Sequence, residues 1–113
     1  MGLLYKDQKQ YAEAEEKYKK AIELDSENAS AHINLGNRYK DQKQYAAAEE
    51  EYKRAIELDP EDASAHNNLG VLYKKQERYA EAEAEYKKAI ELDPNLDAPK
   101  ENLKKLQAFI EAN

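Results

Sequence analysis

The chain has 113 residues and a formal net charge of −6, and it contains neither cysteine nor tryptophan. The length fits one small domain, and the lack of cysteine excludes a disulfide framework, a thiolate metal site and a cysteine nucleophile. The acidic balance and the lack of an apolar run of about 18 residues predict no nucleic-acid partner and no membrane span.

Tyrosine, glycine and proline all recur at one fixed distance. The nine tyrosines form three sets whose members lie 34 residues apart, namely Tyr5, Tyr39, Tyr73; Tyr11, Tyr45, Tyr79; and Tyr18, Tyr52, Tyr86. The three glycines keep the same distance, as do Pro60 and Pro94. This internal period identifies a repeat protein and divides the chain into residues 1–28, 29–62, 63–96 and 97–113.

Residues 1–28 match the later part of a repeat, through Gly2, Tyr5, Ala14 and Tyr18. Its first helix lacks the opening turns, and Ser26 stands where the later repeats have proline. We therefore expect an uncovered N-terminal edge formed by Leu3, Leu4 and Tyr11. No signal peptide pattern is visible, so we expect a cytoplasmic location. The sequence starts within a helix, and a signal peptide ahead of that start would not be seen in it.

Residues 29–62 and 63–96 each predict two helices. In the first of these repeats His32, Leu35, Gly36 and Tyr39 follow the spacing i, i+3, i+4, i+7 of one helix face. The second helix begins near Tyr45 and ends before Pro60, because proline disfavours helical geometry in the residue before it. Sustained alternation typical of strands is missing.

A glycine inside each first helix indicates close approach of a second helix, because glycine there costs about 1 kcal/mol relative to alanine. Ala14, Ala48 and Ala82 share the period on the second helices. We expect these alanines to face the glycines, with tyrosines on either side.

Residues 97–113 predict a terminal helix that covers the last repeat. Leu103, Leu106 and Ile110 lie on one side, and Pro99 falls in the first turn, where its missing N–H costs nothing. Phe109 and Ile110 should leave some apolar surface. We expect this helix to be the surface that meets the open N-terminal edge of another copy in a weak end-to-end association.

The pattern His32-x-x-Leu35-Gly36-x-x-Tyr39, followed by Ala48, Tyr52 and Pro60, resembles the tetratricopeptide repeat (TPR) signature. Histidine and tyrosine replace the tryptophan and phenylalanine of the family. The resemblance implies about three repeats and a capping helix in a single domain, residues 1–113. The implied fold is all-α, a right-handed superhelical α-solenoid of antiparallel helix hairpins whose concave groove binds extended peptides.

The face of the first helices that is left after packing carries the candidate binding residues. Asn34, Asn68 and Asn102 are 34 residues apart, and carboxamides suit the alternating donors and acceptors of a peptide main chain. Lysines on the same face predict a weak preference for acidic segments. The full set of groove residues is Asn34, Asn37, Lys40, Asn67, Asn68, Lys74, Lys75, Asn102 and Lys105.

Relatives that clamp the C-terminal carboxylate of heat-shock chaperones imply a more specific site. Asn37 and Asn68 match the two asparagines of that clamp. Ile33, Ala98 and Asn102 stand where cations are needed, and a carboxylate without cationic partners gains little over water. The chaperone clamp is therefore disfavoured.

His32 and His66 are the only histidines. Equivalent positions on stacked helices do not converge on one ion, so we expect both imidazoles to pack between helices. Five acid-first i,i+4 pairs (Glu15–Lys19, Glu16–Lys20, Glu49–Lys53, Glu50–Arg54 and Glu83–Lys87) predict a solvated outer face.

Neither a nucleophile with a base in register nor a phosphate-binding loop is present, so the sequence predicts no enzyme and no cofactor. The favoured interpretation is a scaffold for protein–protein interaction. The alternative is a structural or engineered array that self-associates and has no dedicated ligand.

Overall fold

A computed structural model describes residues 2–24 and 28–112, with side chains from residue 12 onward. Six helices account for most of this range: α1 (Gly2–Leu24), α2 (Ala29–Asp41), α3 (Tyr45–Leu58), α4 (Ala63–Lys75), α5 (Tyr79–Leu92) and α6 (Asp97–Ala112). The described residues contain no strand, so the fold is an all-α helical repeat. Within that range, none of the helices combines the length and the apolar character that a membrane crossing requires.

The helices form two compact units, residues 1–58 and 59–113. In the first unit α2 packs on α3 and α1 packs on α2. In the second unit α4 packs on α5, and α6 contacts both of them. The pairs α2/α3 and α4/α5 are the two helix hairpins that the sequence predicts for residues 29–62 and 63–96.

Local sequence sets the ends of these helices. The Asn28 side chain accepts a hydrogen bond from the backbone N–H of Ala31 at 3.0 Å, and Asp62 accepts one from Ser64 at 2.9 Å. These caps satisfy N–H groups that the first turn leaves without a helical partner. At the other end α3 stops at Leu58, two residues before Pro60, as the sequence predicts.

A tight turn joins the helices of each hairpin. Lys43 has φ 61°, and the N–H of Gln44 donates to the Tyr39 carbonyl at 2.8 Å. Glu77 has φ 62°, and Arg78 donates in the same way to Tyr73 at 2.9 Å. This is the Schellman motif of helix C-termini, in which the residue with positive φ is usually glycine. Here a lysine and a glutamate occupy it.

The nearest neighbours of the glycines in the first helices are tyrosine rings, and the expected contact with alanine is seen at Gly70 as a more distant neighbour. A Cβ added at Gly36 would lie 2.7 Å from Cε1 of Tyr52, and one added at Gly70 would lie 2.6 Å from Cε1 of Tyr86. Ala82 contributes its backbone oxygen at 3.3 Å from that second position. The flat ring needs the space that a side chain on the opposite helix would fill.

The N-terminal repeat also differs from the expectation. The repeat pattern predicts that residues 1–28 form the end of one helix, a turn and a second helix. In the structure α1 runs without interruption from Gly2 to Leu24. The predicted edge residues Leu3, Leu4 and Tyr11, and the position of Ser26, lie outside the part of the chain whose side chains the structure describes.

The C-terminal helix packs through Pro99 and Leu106, both fully buried. Phe109 and Ile110 are 46% and 42% exposed, which confirms the predicted apolar surface and shows that Ile110 does not share the burial of Leu106. The ring of Phe109 lies 5.4 Å from that of Tyr79, centroid to centroid.

The outer faces carry ion pairs, as predicted. Glu15–Lys19, Glu49–Lys53 and Glu83–Lys87 are formed at 2.8–3.0 Å. Arg54 instead contacts Glu57, three residues later, at 3.0 Å. Such exposed pairs add a few tenths of a kcal/mol at most and mainly keep the surface soluble.

Candidate functional site

The predicted binding residues lie on α2 in the first unit and on α4 and α6 in the second. Asn34 is exposed, whereas Asn37 and Lys40 are half-buried. On α4, Asn67, Asn68 and Lys74 are half-buried and Lys75 is exposed. On α6, Asn102 is half-buried and Lys105 is exposed. All of these side chains are therefore at least partly accessible.

A carboxamide bridge joins α4 to α6. The Nδ2 of Asn102 donates to the Oδ1 of Asn67 at 3.0 Å. Asn102 thus pairs with Asn67, a partner that the 34-residue period did not indicate. The bond fixes the orientation of both amides at the surface where the two helices meet. We call Asn67, Asn68, Lys74, Lys75, Asn102 and Lys105 the amide–lysine face of the second unit.

Asn37 has a structural contact that the sequence did not predict. Its Oδ1 accepts a hydrogen bond from the hydroxyl of Tyr52, whose ring is fully buried. Burial raises the pKa of Tyr52 well above its usual value, and the negative charge of Asp41 raises it further. The third repeat has Val71 in place of Asn37, so this contact is specific to the first unit. Burial also raises the pKa of the equivalent Tyr86.

Both histidines pack between helices, as predicted, and each has a carboxylate partner. The Nδ1 of His32 lies 2.7 Å from Oε1 of Glu51, and that of His66 lies 2.8 Å from Oε1 of Glu85. Each pair links the first helix of a hairpin to the second. The glutamates follow the histidines by 19 residues in both repeats, a constant separation that was visible in the sequence. Among the described residues, no three potential ligands gather closely enough to hold a metal ion.

A cationic and aromatic cluster marks the turn of the second unit. The guanidinium of Arg78 lies 4.3 Å from the centre of the Tyr73 ring and also forms a two-point contact with Glu81, at 2.5 and 2.9 Å. The first unit has Gln44 in place of Arg78. Because Arg78 already has a carboxylate partner, it is better suited to hold the turn than to bind an anion.

The first unit contains an open cleft of about 320 Å³. Three of its polar residues have partners within the fold, since His32 contacts Glu51 and Lys19 contacts Glu15. The hydrogen bond with Glu15, and to a smaller extent the nearby Tyr39, raises the pKa of Lys19. The complete lining is Lys19, Ile22, Glu23, His32, Leu35, Tyr39 and Glu51. The cleft is lined by two carboxylates and one lysine, whereas the amide–lysine face carries carboxamides and lysines.

Comparison with protein-family models matches the chain to two descriptions of one repeat. A model described as TPR repeat matches residues 2–39 and 36–77, and one described as tetratricopeptide repeat matches residues 63–96. Together these matches extend over most of the chain. Comparison with curated protein sequences gives no match.

Solved structures of similar fold are TPR domains. The first TPR domain of human RPAP3 has a TM-score of 0.85 and 26% identity, with 98% of this chain and 87% of that chain covered. The TPR domain of Arabidopsis OM64 has a TM-score of 0.83 and 26% identity, with 96% and 89% covered. The Sgt2 TPR domain from Aspergillus fumigatus has a TM-score of 0.83 and 28% identity, with 97% and 74% covered.

One further similar structure contains a ligand. It is described as the first TPR of Spaghetti (RPAP3) bound to the HSP90 peptide SRMEEVD. Its TM-score is 0.83 and its identity to this chain is 26%, with 97% of this chain and 87% of that chain covered.

Proposed function

Since this chain belongs to the tetratricopeptide repeat family, a family of protein-interaction scaffolds, we propose that it binds an extended, acidic peptide segment of a partner protein. The binding surface in this proposal is the amide–lysine face of the second unit. Asn34, Asn37 and Lys40 of the first unit are proposed separately as peptide contacts. The observation that carries the proposal is the carboxamide bridge between Asn67 and Asn102.

The bridge supports recognition of a peptide main chain. A carboxamide has two N–H donors and an oxygen acceptor, so the Asn67 Nδ2 and the Asn102 Oδ1 remain suited to a ligand. Packed helices lie about 10 Å apart, which an extended chain spans with about three residues. Asn68, the next residue of α4, is half-buried and adds a further carboxamide to this proposed surface. Because the bridge holds its two amides in place, little side-chain entropy is lost on binding.

Charge on this face favours an acidic segment. This face carries three lysines, namely Lys74, Lys75 and Lys105. The neighbouring part of α6 carries one exposed acid, Glu101. The peptide SRMEEVD in the similar RPAP3 structure also carries two glutamates and an aspartate. Ile33, Ala98 and Asn102 still occupy the positions where a carboxylate clamp needs cations. We therefore expect recognition of acidic side chains and main chain, without strict selection for a terminal carboxylate.

A direct test measures binding of an acidic peptide library by the unaltered chain and by an Asn68→Ala/Asn102→Ala variant. Each lost amide contact is worth about 1 kcal/mol, so the variant should bind about 10- to 30-fold more weakly. Glu83→Ala/Lys87→Ala, which removes an exposed ion pair of α5 without changing the net charge, serves as the control and should bind normally. Equal affinity of the three proteins would exclude the amide–lysine face.

Salt dependence provides a second criterion for the same proposal. Affinity should fall as salt is added, because the lysines of this face are exposed or half-buried and their attraction is screened. Affinity that rises with salt would contradict a preference for acidic segments.

The alternative is an end-to-end array without a ligand, and the exposed Phe109 and Ile110 are the observation that favours it. The sequence of α6, aligned with that of α4, disfavours such an array. Lys100 and Lys104 occupy the positions that His66 and Gly70 have on α4, where the second helix of a hairpin packs. Gly70 makes room for the ring of Tyr86, and Lys104 at the equivalent position of α6 leaves no such room for the ring of a further helix. A chain that finds no binder in the library and polymerises through α6 would support the alternative.

The remaining parts of the proposal concern organisation and location. We propose that residues 1–113 act as one non-enzymatic domain composed of repeats 1–28, 29–62 and 63–96 and the capping helix 97–113. We also propose a cytoplasmic location and a partner that is a protein or peptide rather than a nucleic acid or a membrane. The net charge of −6 supports the last point, because phosphate neutralisation requires clustered lysine and arginine.

A further inference from the structure

The two hairpins hold their buried tyrosines in the same place. In the first hairpin, a Cβ added at Gly36 would lie 2.7 and 2.8 Å from Cε1 and Cδ1 of Tyr52. In the second, a Cβ added at Gly70 would lie 2.6 and 2.7 Å from the same two atoms of Tyr86. Both tyrosines are at most 1% exposed. The two rings therefore have the same position relative to the first helix of their hairpin.

The hydroxyl groups of these tyrosines differ in their partners. The hydroxyl of Tyr52 donates to the Oδ1 of Asn37, the residue after Gly36. In the second hairpin the equivalent position is occupied by Val71, whose side chain has no acceptor. Among the described residues, none forms a hydrogen bond with the Tyr86 hydroxyl. The buried ring thus carries a polar group to a place where the described protein offers it no partner.

The Tyr86 hydroxyl reaches the surface of the second unit. In the described part of the chain, every fully buried polar atom of a side chain has a hydrogen-bond partner, so a hydroxyl without one is not fully enclosed. Val71 beside it is half-buried, as are Asn67 and Lys74. These three residues are spaced by four and three positions, so they share one side of α4. The hydroxyl therefore opens onto the amide–lysine face.

The chemistry of this hydroxyl suits an amide oxygen of a ligand. Burial raises the pKa of Tyr86, so the group stays protonated and remains a donor at neutral pH. In the first hairpin the acceptor is the carboxamide oxygen of Asn37. A peptide main chain offers an acceptor of the same kind in each of its amides. The side chain of Val71 forms no hydrogen bond of its own, so the donor is left to the ligand.

We propose that Tyr86 and Val71 form a subsite in which the tyrosine hydroxyl donates to one main-chain carbonyl oxygen of the bound peptide. This inference rests on the proposed peptide binding and assigns a further contact to the same face. Val71 follows Asn67 by four residues, a rise of about 6 Å along α4, which an extended chain covers with about two residues. One segment can therefore contact both the carboxamide bridge and this hydroxyl.

The first test compares Tyr86→Phe with Tyr52→Phe, using an acidic peptide selected from the library. Tyr86→Phe should weaken binding about fivefold and leave the urea midpoint of unfolding unchanged, because its hydroxyl has no partner within the fold. Tyr52→Phe loses the bond to Asn37 and should lower that midpoint. A Tyr86→Phe variant that binds as tightly as the unaltered chain, or whose midpoint falls as far as that of Tyr52→Phe, would overturn the subsite.

The second test identifies the atom of the ligand. Each main-chain amide of the peptide is replaced in turn by an ester, whose carbonyl oxygen is a weaker acceptor. One ester should weaken binding to the unaltered chain and have little effect on binding to Tyr86→Phe. Val71→Asn, which gives the hydroxyl an acceptor within the protein, should abolish the same ester effect while the hydroxyl is retained. Ester effects that are equal in all three proteins would overturn the proposed bond to a main-chain carbonyl.

The outcomes also separate this subsite from the proposed function. If Asn68→Ala/Asn102→Ala weakens binding and Tyr86→Phe does not, the amide–lysine face is supported and the subsite is refuted. If no acidic peptide binds the unaltered chain, both are refuted.

Discussion

Replacing Gly36 with alanine has two opposing effects on the free energy of unfolding. Alanine is favoured over glycine inside a helix by about 1 kcal/mol. Its Cβ would lie 2.7 and 2.8 Å from Cε1 and Cδ1 of Tyr52, whereas carbon atoms normally approach to about 3.5–4.0 Å. The Tyr52 ring is fully buried and its hydroxyl is bonded to Asn37, so it cannot move away freely.

The magnitude follows from these contacts. Forcing an extra carbon into a filled core costs about 1–3 kcal/mol, and a contact this short belongs at the upper end of that range. After the gain in helix propensity, Gly36→Ala should lower the free energy of unfolding by about 2 kcal/mol. Gly70→Ala should cost at least as much, because its Cβ would also lie 3.3 Å from the backbone oxygen of Ala82.

Urea unfolding of the single variants, and of Gly36→Ala in a Tyr52→Ala background, separates the two effects. With the ring removed, alanine at position 36 should stabilise the chain by about 1 kcal/mol, because only the helix propensity remains. A Gly36→Ala variant that is more stable than the unaltered chain would refute the account of these glycines as space for a tyrosine ring.

Three further predictions concern the turns, the histidine–glutamate pair and the buried tyrosine. Lys43→Gly and Glu77→Gly should each raise the free energy of unfolding by about 1 kcal/mol, because both residues have positive φ, and an unchanged urea midpoint would contradict this. Glu85→Ala should lower the melting temperature through a loss of about 1–3 kcal/mol, while Glu85→Gln, which keeps an acceptor for His66, should lose less. Stability should fall by up to about 1.4 kcal/mol per pH unit above pH 10 as Tyr52 ionises in the unfolded chain only, and Tyr52→Phe should flatten that fall.

The sequence predicted the two hairpins because their signals are local. The helical spacing around Leu35 and Tyr52 and the prolines after α3 and α5 act within a few residues of the chain. The structure confirms the resulting helices at nearly the predicted positions.

The straight course of α1 could not be predicted in this way. Residues 5–12 of α1 have the same sequence, YKDQKQYA, as residues 39–46, which turn after α2, so no local signal separates the two. The difference therefore depends on contacts outside the octapeptide, which are a property of the tertiary structure.

The side-chain partners were predicted less well than the helices. Alanine was expected opposite each glycine, but a small residue and a flat ring both explain a missing side chain, and the sequence does not distinguish them. The 19-residue separation of His32 and Glu51 recurs in the next repeat. Many other residue pairs also keep their separation from one repeat to the next, so the recurrence alone does not identify a contact. The bridge between Asn67 and Asn102 joins positions that do not share the repeat register, so the period concealed it.

The most direct test of the proposed function is to map the bound peptide on the protein by NMR. Backbone and side-chain amide signals are followed while an acidic peptide selected from the library is added. The largest shifts should occur at Asn68, Lys74 and Asn102. Shifts concentrated at Glu83 and Lys87 on the outer face of α5, or no shifts with any acidic peptide, would contradict it.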